Sequence, residues 1–374
     1  MKNKIIVFLC MIILLSACGS DSSGDSKVNV TEPIVAGDYK ILSSYASSNS
    51  RQTHVEFNRG WYDRETIGKG LMHYSKQHFS PDSYYLMEGQ ILKRGDLQIN
   101  VPEGPEVDKE GLLGRKSSEN EHGLNPESDS SFLISKTPEQ TIKVGRSTTP
   151  IVDIFEIDFT KEASSDPEID GISLAIVLSP NVLDAQDKEH AISDDVLFTI
   201  GEEAAITLVD YLRKMPEIGN KTPIYITLFK AESSDDSLPG TFIAEAYAKD
   251  SVSMSKLNEE WMIFSSENAT KKDAVIAQQF DALKNELFMI VPNDIGVVGK
   301  GKFVDDKIDT LQITITSQAK TYTESSAIIQ TVNESLNNFE NDDIEISVRF
   351  YNDGEAYAMI KREKGTKDTT VIMY

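Results

Sequence analysis

The tetrapeptide EAYA occupies residues 245–248 and occurs again, unchanged, at residues 355–358. Upstream of each copy, the pattern of apolar residues predicts the same order of elements: a strand, an amphipathic helix and a second strand, with the EAYA strand last. The shared order of elements is stronger evidence than the short match alone. The sequence therefore predicts two copies of a β-α-β-β unit, over residues 172–250 and 308–363.

Each predicted repeat contains a helix with one apolar face. The apolar positions recur at spacings of three and four, and they are Ala205, Leu208, Val209 and Leu212 in the first repeat and Ile329, Val332, Leu336 and Phe339 in the second. Capping boxes predict where the two helices begin, at Thr199 with Glu202 and at Thr321 with Glu324. A longer helix is predicted between the repeats, with Ile276, Phe280, Leu283 and Leu287 on one face.

These units predict an α+β fold. Paired β-α-β-β units most simply form an antiparallel or mixed sheet with helices packed on one face. The 374 residues are enough for two or three domains. We predict a flexible stalk at residues 18–33, because it is mostly Ser, Asp and Gly, and a small N-terminal α+β domain at residues 34–145. A C-terminal domain at residues 146–374 contains both repeats.

The predicted N-terminal domain shows three local patterns. Alternation of polar and apolar residues over Thr53–Asn58 predicts a strand with His54 and Glu56 on its polar face. A helix follows, and its apolar stripe is formed by Ile67, Leu71 and Tyr74. Residues 84–101 then predict a hairpin that turns at Lys93–Asp96.

The segment at residues 102–129 has no periodic pattern. Connections in compact domains are usually about 4 to 6 residues long, and structureless ones above about 12 to 15 residues are usually functional or disordered. A disordered spacer would not need Leu112, Leu113 and Leu124. Two interpretations remain open: an ordered surface loop with a binding role, and a plain linker.

Residues 1–17 are predicted to form a signal peptide. Lys2 and Lys4 make a basic head, and an apolar run extends from Ile5 to Ala17. A membrane-spanning helix needs about 20 apolar residues, so the run is too short to span. A basic head, a short apolar core and small residues before a cleavage point are typical of secretion signals.

The signal ends in a lipobox, formed by Leu15, Ser16, Ala17 and Cys18. A thiolate is the nucleophile that can accept a diacylglyceryl group as a thioether, so prolipoprotein processing enzymes are expected to lipidate Cys18 and to cut before it. Two acyl chains, such as palmitate, hold a protein stably on a membrane. We therefore predict a lipoprotein anchored through Cys18 on the extracellular face of the cell membrane.

Composition excludes several classes of protein. Cys10 and Cys18 are the two cysteines, so the chain after the lipidated residue has no disulfide and no cysteine nucleophile. A net charge of −23 disfavours nucleic acid, whose phosphates bind Lys and Arg. The common nucleotide-binding, metalloprotease and serine-hydrolase motifs are absent. We predict no catalytic residue, no metal and no cofactor, although the many carboxylates leave a glycosidase-like pair possible.

The stretch LMEGQILKRGDLQINVPEGPEVDKEGLLGRKSSENEHGLNP, at residues 86–126, carries a family resemblance. Together with the lipobox and the repeated C-terminal half, it resembles the CamS family of sex-pheromone precursor lipoproteins of Gram-positive bacteria. The resemblance extends over nearly the whole chain. Its most distinctive part is the combination of EGQ, GLLGRKS and GLNP.

The resemblance implies that the discarded leader is a signal to other cells. In that family, a short apolar peptide from the end of the leader causes plasmid-bearing neighbours to clump and conjugate, through a receptor of the recipient cell. The corresponding peptide here is Met11, Ile12, Ile13, Leu14, Leu15, Ser16 and Ala17. The family peptide begins A-I-F-I-L-A and ends on a small residue, so Ile12, Leu15 and Ala17 match it and the other four residues depart from it.

The resemblance implies no activity for the folded part of the chain. Two hypotheses therefore remain. The first is a binding or interaction module with an unidentified ligand. The alternative is a cell-envelope enzyme, such as a glycan-directed hydrolase that uses a carboxylate pair.

Overall fold

The computed structural model describes residues 28–43, 47–48, 50–51, 54, 61–98, 111–146, 148–219, 221–231, 238–249 and 251–374. The predicted signal peptide, the lipobox with Cys18 and the peptide Met11–Ala17 lie outside these residues. Among the described residues, no helix is long and apolar enough to cross a membrane.

In this part of the chain, helices and strands alternate irregularly. The helices are α1 (Trp61–Ser75), α2 (Arg94–Leu97), α3 (Asp194–Leu212), α4 (Glu267–Lys272), α5 (Ala274–Ile290) and α6 (Tyr322–Ser335), and a short 3₁₀ helix follows at Leu336–Asn338. The strands up to residue 191 are β1 (Val30–Thr31), β2 (Ile41–Leu42), β3 (Tyr85–Glu88), β4 (Ser131–Lys136), β5 (Glu139–Lys143), β6 (Ile151–Thr160), β7 (Gly171–Leu178), β8 (Asn181–Leu183) and β9 (Glu189–Ala191). The later strands are β10 (Ile224–Lys230), β11 (Thr241–Ala248), β12 (Ser255–Lys256), β13 (Glu259–Ile263), β14 (Ile295–Val304), β15 (Lys307–Ser317), β16 (Glu345–Asn352), β17 (Glu355–Arg362) and β18 (Thr369–Met373).

Two large sheets organise the described residues. The first has eight strands in the order β1-β2-β3-β6-β7-β10-β11-β12, and the second has six strands in the order β13-β14-β15-β16-β17-β18. Strands β4 with β5 and β8 with β9 form two small hairpin sheets. Most pairs are antiparallel, but β2 with β3, β7 with β10 and β15 with β16 are parallel. The predicted α+β class with mixed sheets is confirmed.

The two predicted repeats have the same strand pairing. In each, the first strand runs parallel to the second, and the second pairs antiparallel with the third, as β7-β10-β11 and as β15-β16-β17. Helices α3 and α6 connect the parallel strands. An additional antiparallel strand precedes each copy, β6 before β7 and β14 before β15. The repeated unit is therefore β-β-α-β-β, one strand longer than the sequence predicted.

The two EAYA tetrapeptides do not occupy equivalent positions in this repeat. Each third strand contains a bulge, and the unpaired residue is Ile243 in β11 and Tyr357 in β17. When the two third strands are superposed on their bulges, Tyr357 is equivalent to Ile243, and Tyr247 is equivalent to Lys361. The ring of Tyr247 stacks on His78, with centroids 4.2 Å apart, whereas Tyr357 packs against the core beneath α6. The two tyrosines therefore lie in different environments, because the tetrapeptide match is out of register with the structural repeat.

The two sheets differ in how they are covered. In the first sheet, α1 packs on one face and α3 on the other. The predicted stripe of α1 is confirmed, because Ile67, Leu71 and Tyr74 are buried against the sheet. In the second sheet, α5 and α6 bury their predicted apolar residues on one face. The opposite face of the second sheet carries mostly polar side chains.

The hairpin predicted at residues 84–101 is wrong. Strand β3 ends at Glu88 and pairs with β6, which is distant in sequence, and not with the residues that directly follow it. After Lys93, the chain turns into α2, because the Asp96 side chain accepts a hydrogen bond from the Lys93 amide at 2.8 Å and caps the helix. Buried carboxylates of β6 accept hydrogen bonds from the amides of residues 90–92, so these amides are not available to pair with a second strand.

Two other local predictions have different outcomes. Helix α3 begins at Asp194, before Thr199, whose hydroxyl donates to the Asp195 carbonyl at 3.0 Å. The capping box predicted at Thr199 is therefore wrong, whereas the box between Thr321 and Glu324 is confirmed at 2.8 and 3.3 Å. His54, predicted in a strand, is helical, and residues 55–60 lie outside the described part of the chain.

The sheets do not divide the chain at residue 145. Strands β3 and β6, which come from opposite sides of that position, are adjacent in the first sheet. The change from the first to the second sheet falls between Lys256 and Glu259. Within the predicted stalk, Val30–Thr31 pairs with β2 and so adds an edge strand to the first sheet.

Candidate functional site

The uncovered face of the second sheet forms the floor of a groove with a volume of about 930 Å³. Strands β14, β15 and β16 contribute the floor, and residues of three loops close one end. Pro239, which precedes β11 of the first sheet, also lines the groove. Volumes of about 300 to 1,000 Å³ are typical of ligand sites, so the groove is large enough to hold an extended ligand.

Alternation along the strands determines which side chains reach the groove. Leu311, Ile313 and Ile315 of β15 are buried beneath the helices, and the residues between them point to the other face. Paired residues on neighbouring strands then form rows across the floor. These rows are Lys300, Gln312 and Ser347, then Thr314 and Arg349, and finally Gly296, Thr316 and Tyr351.

Charges are distributed unevenly along the groove. Lys300 and Arg349 lie on the floor strands. Asp294 and Asp353 lie in loops at the end beyond Thr316, and both have protein partners. The Asp294 carboxylate lies 3.9 Å from the Lys320 ammonium, and the Asp353 carboxylate accepts a hydrogen bond from the Ala319 amide at 3.0 Å.

Helix α1 approaches the same face of the second sheet. The hydrogen bond from Lys69 lowers the pKa of Glu65 on α1, and the charge of Arg349 lowers it further. Such a contribution requires Arg349 to lie near the helix. The groove therefore lies between the polar face of the second sheet and elements that belong to the first.

Glu259 fixes the position of the groove floor relative to the first sheet. Its buried carboxylate accepts hydrogen bonds from the Tyr74 hydroxyl of α1, from the Phe242 amide of β11 at 3.1 Å and from the Lys302 ammonium of β14 at 3.1 Å. Burial and the negative charge of Glu259 raise the pKa of Tyr74, so this hydroxyl remains a donor. One carboxylate thus links both sheets and the helix beside the groove.

A family model that describes the CamS sex pheromone cAM373 precursor matches residues 45–368. The chain belongs to this family. Two solved structures support the CamS fold for it, both below 25% identity. A crystal structure of a sex pheromone precursor from Lactobacillus salivarius subsp. salivarius is 23% identical with a TM-score of 0.76, and the match covers 93% of this chain and 99% of that chain.

A second structure is that of the C-terminal domain of the sex pheromone staph-cAM373 precursor from Staphylococcus aureus. It is 22% identical with a TM-score of 0.62, and the match covers 84% of this chain and 96% of that chain. Among curated proteins, no significant match was found. The CamS assignment thus establishes a sex pheromone precursor, and it assigns no ligand to the groove.

The EGQ motif of this CamS chain binds a buried pair of carboxylates. Glu156 of β6 accepts hydrogen bonds from the amides of Ile91 and Leu92 at 2.8 and 2.7 Å. Asp158 accepts a hydrogen bond from the amide of Gln90 at 2.8 Å. Gly89 is necessary here, because a Cβ on it would lie 2.7 Å from the Glu156 Cβ. The motif therefore lets the backbone approach the strand closely enough to bind both acids.

Burial raises the pKa of Glu156, and burial together with the Glu156 charge raises the pKa of Asp158 well above the usual range. Burial thus favours a protonated form of this pair. Neither acid lines either of the cavities described in this section. The pair anchors the backbone of residues 90–92, and its geometry gives no access to a glycan substrate.

The GLLGRKS and GLNP motifs of the CamS chain hold residues 111–129 in an ordered loop. Arg115 donates hydrogen bonds to the carbonyls of Pro126, Gly145, Arg146 and Thr148 at distances of 2.7 to 3.1 Å. Asn125 is buried and donates to the carbonyls of Leu113 and Ile151 at 3.0 and 2.9 Å. Leu112 and Leu113 belong to the main core.

The ordered loop also lines a second cavity of about 430 Å³. There, the ring of His122 contacts Tyr211 edge to face, with centroids 5.3 Å apart. The Tyr211 hydroxyl donates to Asp96 of α2 at 2.7 Å. Residues 111–129 thus form an ordered loop, and its binding role stays a prediction. Residues 99–110 lie outside the described part of the chain.

A serine, a histidine and an aspartate form a hydrogen-bonded chain near the start of the fold. The His54 Nδ1 lies 2.9 Å from the Asp153 carboxylate, and its Nε2 lies 3.2 Å from the Ser50 hydroxyl. Hydrolases use this order of groups, but Ser50 is only 2% exposed and also contacts Ser48 at 2.6 Å. Because Ser50 is enclosed, a substrate carbonyl cannot reach it in this conformation, and the chain of contacts serves to orient His54.

The groove was not predicted from the sequence, although one signal points to it. Polar residues alternate with buried aliphatic residues in LQITITS at 311–317 and in IEISVRFY at 344–351, which indicates strands with one solvated face. The predicted lipobox and peptide residues lie outside the described part of the chain. Within that part, no group of three or more His, Cys, Asp and Glu side chains could hold a metal ion.

Proposed function

We propose that this sex pheromone precursor is a surface lipoprotein whose folded part is a binding module. The observation that carries the proposal is the groove on the second sheet. Its floor presents amide, hydroxyl and cationic side chains from three adjacent strands. A rigid sheet holds these groups at fixed spacings, which is what recognition of a polar ligand requires.

Hydrogen bonds between the two sheets lie beside the groove. Glu259 joins the floor to α1 and β11, so the two sides of the groove keep their separation. Preorganised groups bind more tightly because less conformational freedom is lost on binding. The two groove carboxylates, Asp294 and Asp353, are both engaged with protein partners, so binding is favoured over glycoside hydrolysis.

Obstruction of the groove tests the binding role. Thr314→Trp would place an indole on the groove floor, and Thr370→Trp would place the same group on the exposed strand β18, away from the groove. In detergent, which removes the contribution of the lipid anchor, the mature protein should sediment with detergent-extracted cell envelopes. Thr314→Trp should lose at least tenfold of this binding, while Thr370→Trp should keep it. Equal sedimentation of both variants would contradict the binding role.

The proposed anchor is a diacylglyceryl group on Cys18. It is supported by the basic head, the apolar run and the small residues that precede the cysteine. Cells fed an alkyne analogue of palmitate should label the protein, and Cys18→Ala should abolish the label and release the protein or leave an uncleaved form. Cys10→Ala, within the apolar run, is the matched control and should keep both label and anchor. Processing and retention of Cys18→Ala like the parent would contradict the anchor.

The proposed pheromone is the heptapeptide Met11–Ala17, released by cleavage before Cys18 and trimming. It is apolar over MIILL and is charged only at its termini, which suits a hydrophobic receptor pocket. Synthetic MIILLSA should cause clumping of a responder strain that carries the matching plasmid. A Leu14→Asp peptide should not, because burial of an unpaired carboxylate costs several kcal/mol. An inert synthetic peptide, together with its absence from culture supernatant by mass spectrometry, would contradict this role.

A further inference from the structure

We infer that strand β18 binds a second copy of this chain, so that the second sheets of two copies join edge to edge across a two-fold axis. Three features of β18 carry the inference: an unpaired backbone edge, exposed apolar side chains and the absence of charge. This interface lies outside the groove and does not depend on the proposed binding function.

Strand β18 forms one edge of the second sheet. Among the described residues it pairs with β17 alone. The Tyr374 amide donates to the Tyr357 carbonyl at 3.0 Å, so by alternation every second amide of β18 points to β17. The amides and carbonyls of Thr369, Val371 and Met373 then point away from the sheet, where no described residue binds them. Such a row of backbone groups is a template for another strand.

The edge is apolar on both faces of the sheet. Val371 and Met373 pair with buried residues of β17 on the helix-covered face, yet they are 42% and 51% exposed. Ile372, on the opposite face, is also exposed. Natural edge strands are commonly protected by lysine, proline or a bulge, and β18 has none of these. Exposed apolar surface of this kind marks a site of interaction.

The edge and its surroundings carry no charge, although the chain has a net charge of −23. Strand β18 contains no charged side chain. Above it, the Thr369 hydroxyl donates to the Asn333 side chain of α6 at 2.6 Å. The same stripe of α6 contains Tyr322, Ser326 and Gln330, which are uncharged as well. Acidic surfaces of two copies repel each other, so an uncharged surface is where a second copy can approach.

Two copies of β18 match when they run antiparallel, with Val371 on a two-fold axis perpendicular to the sheet. Val371 then pairs with the partner's Val371, and Thr369 pairs with the partner's Met373. Each of these pairs would exchange two backbone hydrogen bonds, and a pair of β-branched side chains stabilises a sheet. A two-fold contact of this kind closes after two copies. A strand of another protein would need a matching sequence, whereas a second copy supplies the match by symmetry.

Sedimentation velocity measures this association. The protein is the full mature chain from residue 18 with Cys18→Ser, so that it carries no lipid and no other cysteine. We expect dimers whose fraction rises as the concentration increases from micromolar to near-millimolar. Met373→Lys places a charge in the shared edge and should weaken the dimer at least tenfold. Met289→Lys is the matched control, because Met289 is an exposed methionine of α5 outside the edge, and it should change the dimer less than twofold.

Disulfide cross-linking tests the alignment of the two strands in the same protein. Hydrogen-bonded residues of an antiparallel pair have Cα atoms about 5.5 Å apart, which a disulfide can span. Val371→Cys should therefore give a covalent dimer under mild oxidation. In this alignment, Thr370 and the partner's Thr370 are diagonal neighbours about 7 to 8 Å apart, beyond the reach of a disulfide. Thr370→Cys is thus the matched control on the same strand, and it should cross-link at least fivefold less.

Three results would overturn the inference. A parent that stays monomeric over the whole concentration range would leave the edge to a strand of another protein. A dimer that Met289→Lys weakens as much as Met373→Lys, or more, would place the contact elsewhere. Cross-linking of Thr370→Cys as efficient as that of Val371→Cys would contradict the pairing of the two strands. The groove is tested separately by Thr314→Trp, so failure of the dimer leaves the binding function standing.

Discussion

The hydroxyl of Tyr74 donates a hydrogen bond to the carboxylate of Glu259. Tyr74 lies on α1, which packs under the first sheet, and Glu259 is the first residue of the second sheet. The same carboxylate accepts from Phe242 and Lys302. The relative position of the two sheets, and with it the shape of the groove, therefore depends on a single buried acid.

Removal of this acid should destabilise the protein strongly. Glu259→Ala leaves the Phe242 amide without its partner and removes the closer of the two carboxylates that pair with Lys302. Breaking a buried ion pair costs about 3 to 5 kcal/mol, and because Asp309 still pairs with Lys302 we expect a loss of about 3 kcal/mol. Tyr74→Phe removes one hydrogen bond to a charged group and should cost about 1.5 to 3 kcal/mol. Both values are measured by denaturant unfolding.

Glu260→Ala is the control for this change. Its carboxylate pairs with Lys272 at the surface, and surface pairs contribute about 0 to 1 kcal/mol. A loss in Glu260→Ala as large as that in Glu259→Ala would show that Glu259 has no special linking role.

The Glu156 and Asp158 pair should make stability depend on pH. Both pKa values are raised in the folded state, so the folded protein holds a proton that the unfolded chain releases above pH of about 4. The stability from this pair is fully present below that pH and is lost as pH rises through the raised values. Asp158→Asn mimics the protonated acid and should gain stability relative to the parent as pH rises from about 4 to 8.

The measurement is the free energy of unfolding of both proteins across this pH range. The difference should be near zero at the acid end and should favour Asp158→Asn increasingly toward pH 8. A difference that does not vary with pH would contradict the raised pKa values of the pair.

Gly89→Ala should destabilise the protein by crowding the pair. The added Cβ would lie 2.7 Å from the Glu156 Cβ, and such overpacking costs about 1 to 3 kcal/mol. Gly68→Ala on α1 is the control, because its Cβ would meet no atom within 4 Å. There, alanine should stabilise the helix by up to about 1 kcal/mol. Similar melting temperatures for the two variants would contradict the close approach at Gly89.

Arg115→Lys should loosen the loop at residues 111–129. The guanidinium donates to four backbone carbonyls, and an ammonium cannot reproduce this planar arrangement. We expect faster hydrogen exchange in the loop and a loss of about 1 to 3 kcal/mol in stability. Lys116→Gln, at an exposed neighbouring position, should leave both unchanged, and protection of the loop in Arg115→Lys equal to the parent would contradict the bracing role.

Elements with local and periodic signals can be predicted from the amino-acid sequence. The apolar stripes of α1, α5 and α6 could be predicted because apolar residues recur at spacings of three and four. The Thr321 and Glu324 box was readable because its partners are three residues apart. The repeat could be predicted from the order of elements. The EAYA tetrapeptide itself is out of register with the bulges at Ile243 and Tyr357.

Contacts between residues distant in sequence become visible in the folded structure and have no local signal. Gly89 carries no periodic signal, and its role appears only when β3 lies beside Glu156. Likewise, Lys300 and Arg349 share a groove because β14 and β16 both flank β15, and Tyr74 meets Glu259 because α1 packs beside the second sheet. Such pairings depend on which strands are neighbours, and neighbours are chosen by the burial and hydrogen bonding of the whole chain, which no local pattern records.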